Sequence, residues 1–341
     1  MNDVHDVIDG QLRTALAQLL DGLPPRKATA AVERLIANYR GKTPTEAPVL
    51  RDRADVVAYA AYRMPATFAA VSAALGALAD RLDGWAPADH VDVGGGTGAA
   101  TWATAATWDD AAPEGGVTRA TTVLDWAAPA LDLGRELAAS SGSPALRAAE
   151  WRRRSLRSSG EPLPAADLVT VSYVLGELEP EDRRAVTDSA AGAGRAVVIV
   201  EPGTPDGYLR IREARETLTA AGLRVLAPCP HSGQCPIVPG EDWCHFAARV
   251  PRSSLHRQVK GGSLAYEDEK FAYVAAVRPE LVPGTPAASR VVRRPVLRKG
   301  QVLLDLCTAD EELRRTTVTK RHGADYKAAR NTDWGDAWPP G

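Results

Sequence analysis

The chain has 341 residues and a formal net charge of −2, so the molecule as a whole is no polycation and any nucleic-acid surface must come from local segregation of charge. Its 45% hydrophobic and 25% charged content is that of a globular protein and excludes wholesale disorder. No run of about 18 apolar residues occurs, and the acid-bearing N-terminus has no apolar core, so neither a membrane span nor a signal peptide is expected.

Residues 1–84 read as a helical N-terminal domain. Leu12, Leu16, Leu19 and Leu20, then Val32, Leu35 and Ile36, recur at three- and four-residue steps, the period of one helix face. Leu23-Pro24-Pro25 separates two helices, 41–48 is a loop, and a helix over 54–80 is expected to break or restart at Pro65. From Trp85 the rhythm changes to short apolar runs at 90–93, 121–124, 168–174, 195–200, 223–226 and 271–277, with helical stretches between them. Several runs are continuous and β-branched, as expected of parallel strands buried on both faces. The alternation predicts a doubly wound α/β sheet over 85–282. A Pro-, Gly- and Cys-rich insertion, 227–262, breaks the rhythm before the last strand. Residues 283–341 form a basic C-terminal extension with β-like runs at 291–297, 302–307 and 316–319.

Within the first strand and the turn after it stands Val91-Asp92-Val93-Gly94-Gly95-Gly96-Thr97-Gly98. Glycines let the backbone turn sharply and approach a ligand closely, and amides at the following helix start bind polar groups. The spacing Gly94-x-Gly96-x-Gly98, with Asp92 two residues ahead, is the pattern of class I S-adenosylmethionine-dependent methyltransferases. Asp125 ends the next run and could accept hydrogen bonds from the ribose hydroxyls of adenosine. Ser172 follows at the end of the fourth strand, in Ser172-Tyr173-Val174-Leu175. A dinucleotide fingerprint with Ala99 as its third small residue stays open, as does a bare tight turn. No Asn-Pro-Pro-aromatic turn and no cysteine nucleophile stands near the fourth or fifth strand, so no catalytic residue is nominated. Glu201-Pro202-Gly203-Thr204 reads equally as cleft lining or as a turn.

Cys229, Cys235, Cys244 and Cys307 are all the cysteines of the chain. With no signal peptide read in the sequence, a cytoplasmic location is expected, where thiols stay reduced, so disulfides are not expected. Four thiolates suffice for a zinc ion or an iron–sulfur cluster. Structural zinc usually uses paired, short-spaced cysteines, which Cys229, Cys235 and Cys244 lack, although His231 and His245 could complete a zinc site. Four unligated cysteines remain the plain alternative.

These residues resemble a known family. The glycine loop, the block 228–236, Trp243-Cys244-His245-Phe246, Glu267-Asp268-Glu269-Lys270-Phe271-Ala272-Tyr273, Arg63-Met64-Pro65-Ala66-Thr67 and the late Cys307 are similar to the Rsm22 family of ribosomal small-subunit, methyltransferase-like proteins, in a bacterial form. The resemblance runs through most of the chain. It implies a class I fold, an S-adenosylmethionine pocket and a four-iron, four-sulfur cluster held by Cys229, Cys235, Cys244 and Cys307. It also implies association with the small ribosomal subunit, whose assembly the mitochondrial relatives assist.

Residues 290–330 carry eleven Lys/Arg and five Asp/Glu in a chain that is net −2. Arg293, Arg294, Arg298, Lys299, Arg314, Arg315, Lys320 and Arg321 are the candidate phosphate contacts, because guanidinium forks and ammonium groups suit phosphate. Tyr326, Trp334 and Trp338 could stack on unpaired bases. Arg249, Arg252, Arg257 and Lys260 form a second basic string, and Arg152-Arg153-Arg154 a third. A solvated charged face is the plain reading of all three. The function expected is a monomeric, S-adenosylmethionine-binding, iron–sulfur, rRNA methyltransferase-like protein of the small subunit. A non-catalytic assembly factor, a small-molecule or protein methyltransferase with structural zinc, and a nicotinamide oxidoreductase are the alternatives.

Overall fold

The computed structural model describes residues 3–21, 26, 29–34, 53–109, 118–156, 162–252, 265–281 and 286–340. Pro24-Pro25, Leu35, Ile36, the loop at 41–48, Arg257, Lys260 and the end of the insertion lie outside them. The N-terminal part supplies two long helices, α1 (Asp3–Asp21) and α2 (Arg53–Ala79). The expected break at Pro65 is not there: α2 runs unbroken through it. A helix-interior proline costs about 3 kcal/mol. The face Val57, Ala60, Met64, Phe68, Val71, Leu75 and Leu78 is buried along the whole helix, and that burial outweighs the lost bond.

Eight strands form the main sheet: β1 (Asp89–Val93), β2 (Ala120–Asp125), β3 (Glu150–Arg153), β4 (Ala166–Ser172), β5 (Gly194–Pro202), β6 (Arg224–Ala227), β7 (Phe246–Pro251) and β8 (Tyr266–Val277). Their order is β3-β2-β1-β4-β5-β8-β6, with β7 paired to β8. Strands β1 to β5 run parallel, and β8 is antiparallel to both β5 and β6. This order, with one reversed strand next to the last position, is the class I methyltransferase fold. The sequence runs located six of the eight strands. They missed β3, a polar edge with only Trp151 buried, and β7.

Period-two alternation divides the sheet between two cores. In β5, Ala196, Val198 and Val200 join the core under α1, α2, α3 (Ala99–Trp108) and α4 (Ala128–Ala139). Val197 and Ile199 point to the opposite core, with α5 (Pro180–Ala193) and α6 (Pro205–Ala220). The N-terminal helices thus share the core of the sheet's first face. The crevice where strand order reverses, between β1 and β4, opens at the C-terminal ends of those strands.

The C-terminal extension forms a second, five-stranded sheet from β9 (Ser289–Val291), β10 (Val296–Arg298), β11 (Gln301–Thr308), β12 (Leu313–Thr319) and β13 (Ala337–Trp338). Helix α7 (Ala324–Asn331) covers one face. Val291, Val302, Leu304, Leu306, Val318, Ala329 and Trp338 make its small core. The expected run at 291–297 is split into β9 and β10. No helix among the described residues is long and apolar enough to cross a membrane.

Candidate functional site

The glycine loop turns tightly at the end of β1. The amides of Gly94 and Gly95 donate to the Leu124 carbonyl at 2.8 and 3.2 Å, and that of Gly98 to Gly95 at 2.7 Å. Gly94, Gly96 and Gly98 have φ of +68°, +54° and +85°, the left-handed region that favours glycine. A Cβ on Gly94 would lie 2.7 Å from Val174, and one on Gly98 2.5 Å from the Trp151 ring. These two glycines therefore serve the protein's own packing. Gly96 differs: the nearest atom to its Cβ position is an Asp125 carboxylate oxygen at 3.8 Å, so open space remains beside it.

Asp92 is fully enclosed beneath the loop, where Thr101 and Thr170 hydroxyls each donate to its carboxylate at 2.9 Å. Burial raises its pKa to about 6 against these hydrogen bonds. Next in the chain of contacts, the His90 ring lies 2.8 Å from the Thr170 hydroxyl, and burial lowers the His90 pKa to about 3. Asp92 therefore braces the loop from below, without a face on the crevice. Asp125 accepts the amides of Gly96 and Ala127 at 2.9 and 2.8 Å and joins the loop to β2. Burial raises its pKa, and these amides oppose the rise. A carboxylate offers about four lone-pair sites, so room for a hydroxyl donor remains. Beside it stands Trp126, 44% exposed, which sequence reasoning did not single out. A Trp directly after a strand-end acid was the available signal.

Ser172 ends β4, and after it the backbone takes a left-handed turn at Tyr173, φ +58°. Such a conformation in a bulky residue persists only where its surroundings hold it. The Tyr173 hydroxyl donates to Glu269 of β8 at 3.1 Å. Arg63 of α2 pairs with both Glu269 oxygens, at 3.1 and 3.5 Å, and lies over the Tyr173 ring, 5.7 Å from its centroid. Burial, then Glu269, holds the Tyr173 pKa well above its usual value. Beside Arg63, Met64 receives the Thr97 hydroxyl at 3.5 Å. Helix α2 thus reaches both the glycine loop and the turn after β4. Glu201 is fully buried; the Leu175 amide donates to it at 3.1 Å and Arg210 at 2.6 Å. It holds that turn and does not line the crevice.

The four cysteines meet at a separate place. Cys229, Cys235, Cys244 and Cys307 line one cavity, together with Tyr208, Arg212, Arg215, Tyr273 and Arg290. No disulfide joins any of the four. The loop after β6 brings three of them, and β11 brings Cys307, because β9 pairs Arg290 with Cys307. Among the described residues no three His, Cys, Asp or Glu side chains converge closely enough to chelate a single metal ion. Tyr208 lies 3.4 Å from the Cys235 sulfur and His231 3.6 Å from that of Cys307. Burial raises the pKa values of Cys229, Cys244 and Cys307, the last to about 12. Among the described residues, no Asp or Glu lines the cavity.

The predicted phosphate contacts divide in two. Arg293 is ion-paired to Asp242 and donates to the Trp243 carbonyl at 3.3 Å, tying the extension to the insertion. Arg315 grips both Asp305 oxygens at 2.7 and 2.9 Å, and Arg314 pairs with Glu312 at 2.7 Å. Arg298 and Lys299 sit at the β10–β11 turn, where the Lys320 amide donates to the Gly300 carbonyl at 3.1 Å. Arg298, Lys299, Lys320 and Arg321 thus share one end of the second sheet, all exposed, near the exposed Leu297 and, farther off, Arg294. Arg249 and Arg252 are cross-strand partners of Asp268 and Glu267. The aromatic residues are not free for bases. Trp338 is buried in the extension's core, Tyr326 packs against it, and Trp334 packs edge-on to His245 at 4.8 Å. A sheet this small needs its large side chains as core.

A family model described as "Mitochondrial small ribosomal subunit Rsm22" matches residues 53–339. The chain is 30% identical over 298 residues to the human "Ribosome assembly protein METTL17, mitochondrial", a match covering 82% of this chain and 62% of that protein. It is 26% identical over 219 residues to the "Rsm22-cox11 tandem protein 2, mitochondrial" of Schizosaccharomyces pombe, covering 50% of this chain and 29% of that one. The chain therefore spans less than two thirds of the length of these curated relatives. Among solved structures, an O-methyltransferase family protein from Burkholderia thailandensis aligns with a TM-score of 0.42 at 16% identity, covering 79% of this chain and 72% of that one.

Proposed function

The chain belongs to the Rsm22 family, and from that premise we propose that it binds S-adenosylmethionine, holds a four-iron, four-sulfur cluster and associates with the RNA of the small ribosomal subunit. The observation that carries this reading is the meeting of four cysteines from the insertion and the extension around one cavity, in a class I fold whose glycine loop is intact. In this proposal Asp125 receives a ribose hydroxyl, Trp126 offers its face to the adenine, and the open side of Gly96 lies toward the cofactor. Ser172 borders the same crevice at the end of β4. The cofactor, when bound, supplies a methyl group on a sulfonium.

Cys229, Cys235, Cys244 and Cys307 would hold the cluster, whose part is structural: it joins the insertion to the extension. Four thiols and no carboxylate among the described residues of one pocket lining are a donor set that suits such a cluster. Arg294, Arg298, Lys299, Lys320 and Arg321 form the phosphate-binding end, with Arg314 and Arg315 contributing less because carboxylates already face them.

A second reading, an assembly factor without methyl transfer, is favoured by the turn after β4. There Tyr173, Glu269 and Arg63 bind one another, and no unengaged acid or base faces the crevice from these three. Crosslinking to RNA in cells, compared with methylation maps with and without the gene, tests both. Crosslinks on small-subunit RNA with a lost methyl mark support the enzyme, and crosslinks without one support the assembly factor. Absence of such crosslinks sinks the ribosomal reading. A colourless, zinc-bearing protein after anaerobic purification sinks the cluster.

A further inference from the structure

Among the described residues, no carboxylate pairs with two of the guanidinium groups in the cysteine cavity. Arg215, on α6, and Arg290, on β9, are each 5% exposed. Arg215 donates to the His231 carbonyl at 3.0 Å, and Arg290 donates to those of Pro228 and Gly335 at 2.9 and 2.7 Å. Backbone carbonyls, two of them close to Cys229 in the chain, therefore anchor both side chains. Each keeps one buried N–H group without a partner, Nε of Arg215 and Nη2 of Arg290. Arg212, which also lines the cavity, differs because Glu216 stands 3.6 Å away.

Burying an unpaired cation costs several kcal/mol even after relaxation. Backbone carbonyls contribute hydrogen bonds but no net charge. Four neutral thiols contribute none either. The arrangement is balanced only when the cavity holds negative charge. Four thiolates around a core of charge +2 carry −2, which matches the two arginines.

We propose that Arg215 and Arg290 are positioning residues for the cavity's occupant: their unpartnered N–H groups donate to its thiolate and sulfide sulfurs, and their charges set how readily it takes up an electron. This rests on the cluster reading above. Hydrogen bonds and positive charge near the sulfurs favour the more negative, reduced form and so raise the reduction potential. Arg290 has a further position of note, since it lies opposite Cys307 in the β9–β11 register and donates to the insertion. It holds the extension's cysteine against the other three.

The test uses the full chain, purified anaerobically, as wild type, Arg215→Gln, Arg290→Gln and Arg290→Lys. Iron and sulfide per chain, the rate of iron loss to a chelator, and the midpoint potential in a dithionite titration followed by electron paramagnetic resonance are measured. Both Gln variants are expected to shift the potential to more negative values and to lose iron at least about tenfold faster, about 1.4 kcal/mol in barrier. Arg290→Lys, which keeps the charge without the fork, is expected to restore most of the potential and little of the retention. Unchanged potential and iron loss in iron-loaded Gln variants overturn the proposal. Arg215→Gln leaves the β9 anchor intact, so it decides the matter if Arg290→Gln fails to fold. Wild-type protein without iron and sulfide overturns the cluster reading itself, and the arginine proposal falls with it.

Discussion

Replacing Asp92 by Asn removes a charge from the most enclosed position of the glycine-loop site. The carboxylate is fully buried, and desolvation lifts its pKa from 3.8 to about 6 in spite of the Thr101 and Thr170 hydroxyls. That displacement corresponds to about 3 kcal/mol. Below about pH 4 the group is protonated in both folded and unfolded chains. Between about pH 4 and pH 6 the folded chain keeps a proton that the unfolded chain has released, so stability falls as pH rises through this window. Above it the loss is complete and constant. Asn has nearly the same shape and no charge. Its amide oxygen accepts from one threonine and its NH2 donates to the other. Asp92→Asn is therefore expected to be more stable than the wild type by up to about 3 kcal/mol at neutral pH, and about equal to it near pH 4. Urea unfolding of both proteins at stepped pH values measures this, and subtracting the curves cancels every other titrating group. A variant less stable at neutral pH, or a difference independent of pH, would refute the account of Asp92 as a buried brace. The enclosure also predicts that S-adenosylmethionine affinity changes by less than about threefold, whereas a loss of tenfold, about 1.4 kcal/mol, would mean direct contact.

Gly98→Ala forces a Cβ 2.5 Å from the Trp151 ring at φ +85°, so thermal or urea unfolding is expected to show a loss of about 2 kcal/mol or more. Gly10→Ala, in α1 with nothing within 4 Å of the added carbon, is expected to gain about 1 kcal/mol in the same assay. Trp126→Ala removes an exposed ring, and calorimetric titration is expected to show about tenfold weaker S-adenosylmethionine binding with unchanged stability. Changing Arg298, Lys299, Lys320 and Arg321 together to Gln should lower the slope of log K against log salt for RNA binding by about 3. An equal effect from Arg314 and Arg315, which carboxylates already pair, would remove the distinction drawn between them.

Much of this protein is legible in its sequence. Runs such as 195–200 and 271–277 are buried strands because continuous β-branched segments suit a sheet covered on both faces, and β5 and β8 stand there. The glycine loop was readable because a left-handed turn leaves few residue choices. Pro65 was misread because a local rule yields to the burial of a whole helix face, which no window around one proline reveals. The strand β3 escaped because three of its four residues are exposed, so its membership depends on pairing with β2. Trp334 and Trp338 were offered to nucleic acid because composition cannot tell an exposed ring from one packed against a core.

The sequence by itself determined the alternation of strand and helix, the loop at Gly94 to Gly98 and the set of four cysteines. Those features depend on neighbours a few residues apart, and local sterics and periodicity decide them. Only the tertiary structure decided that Arg63 meets Glu269 across 206 positions, that Arg293 belongs to Asp242, and that Arg215 and Arg290 stand among the thiols with no carboxylate beside them among the described residues. Charge pairing acts over a few ångströms of space whatever the separation along the chain, so which cations are free is settled only when the sheets have brought their partners into place.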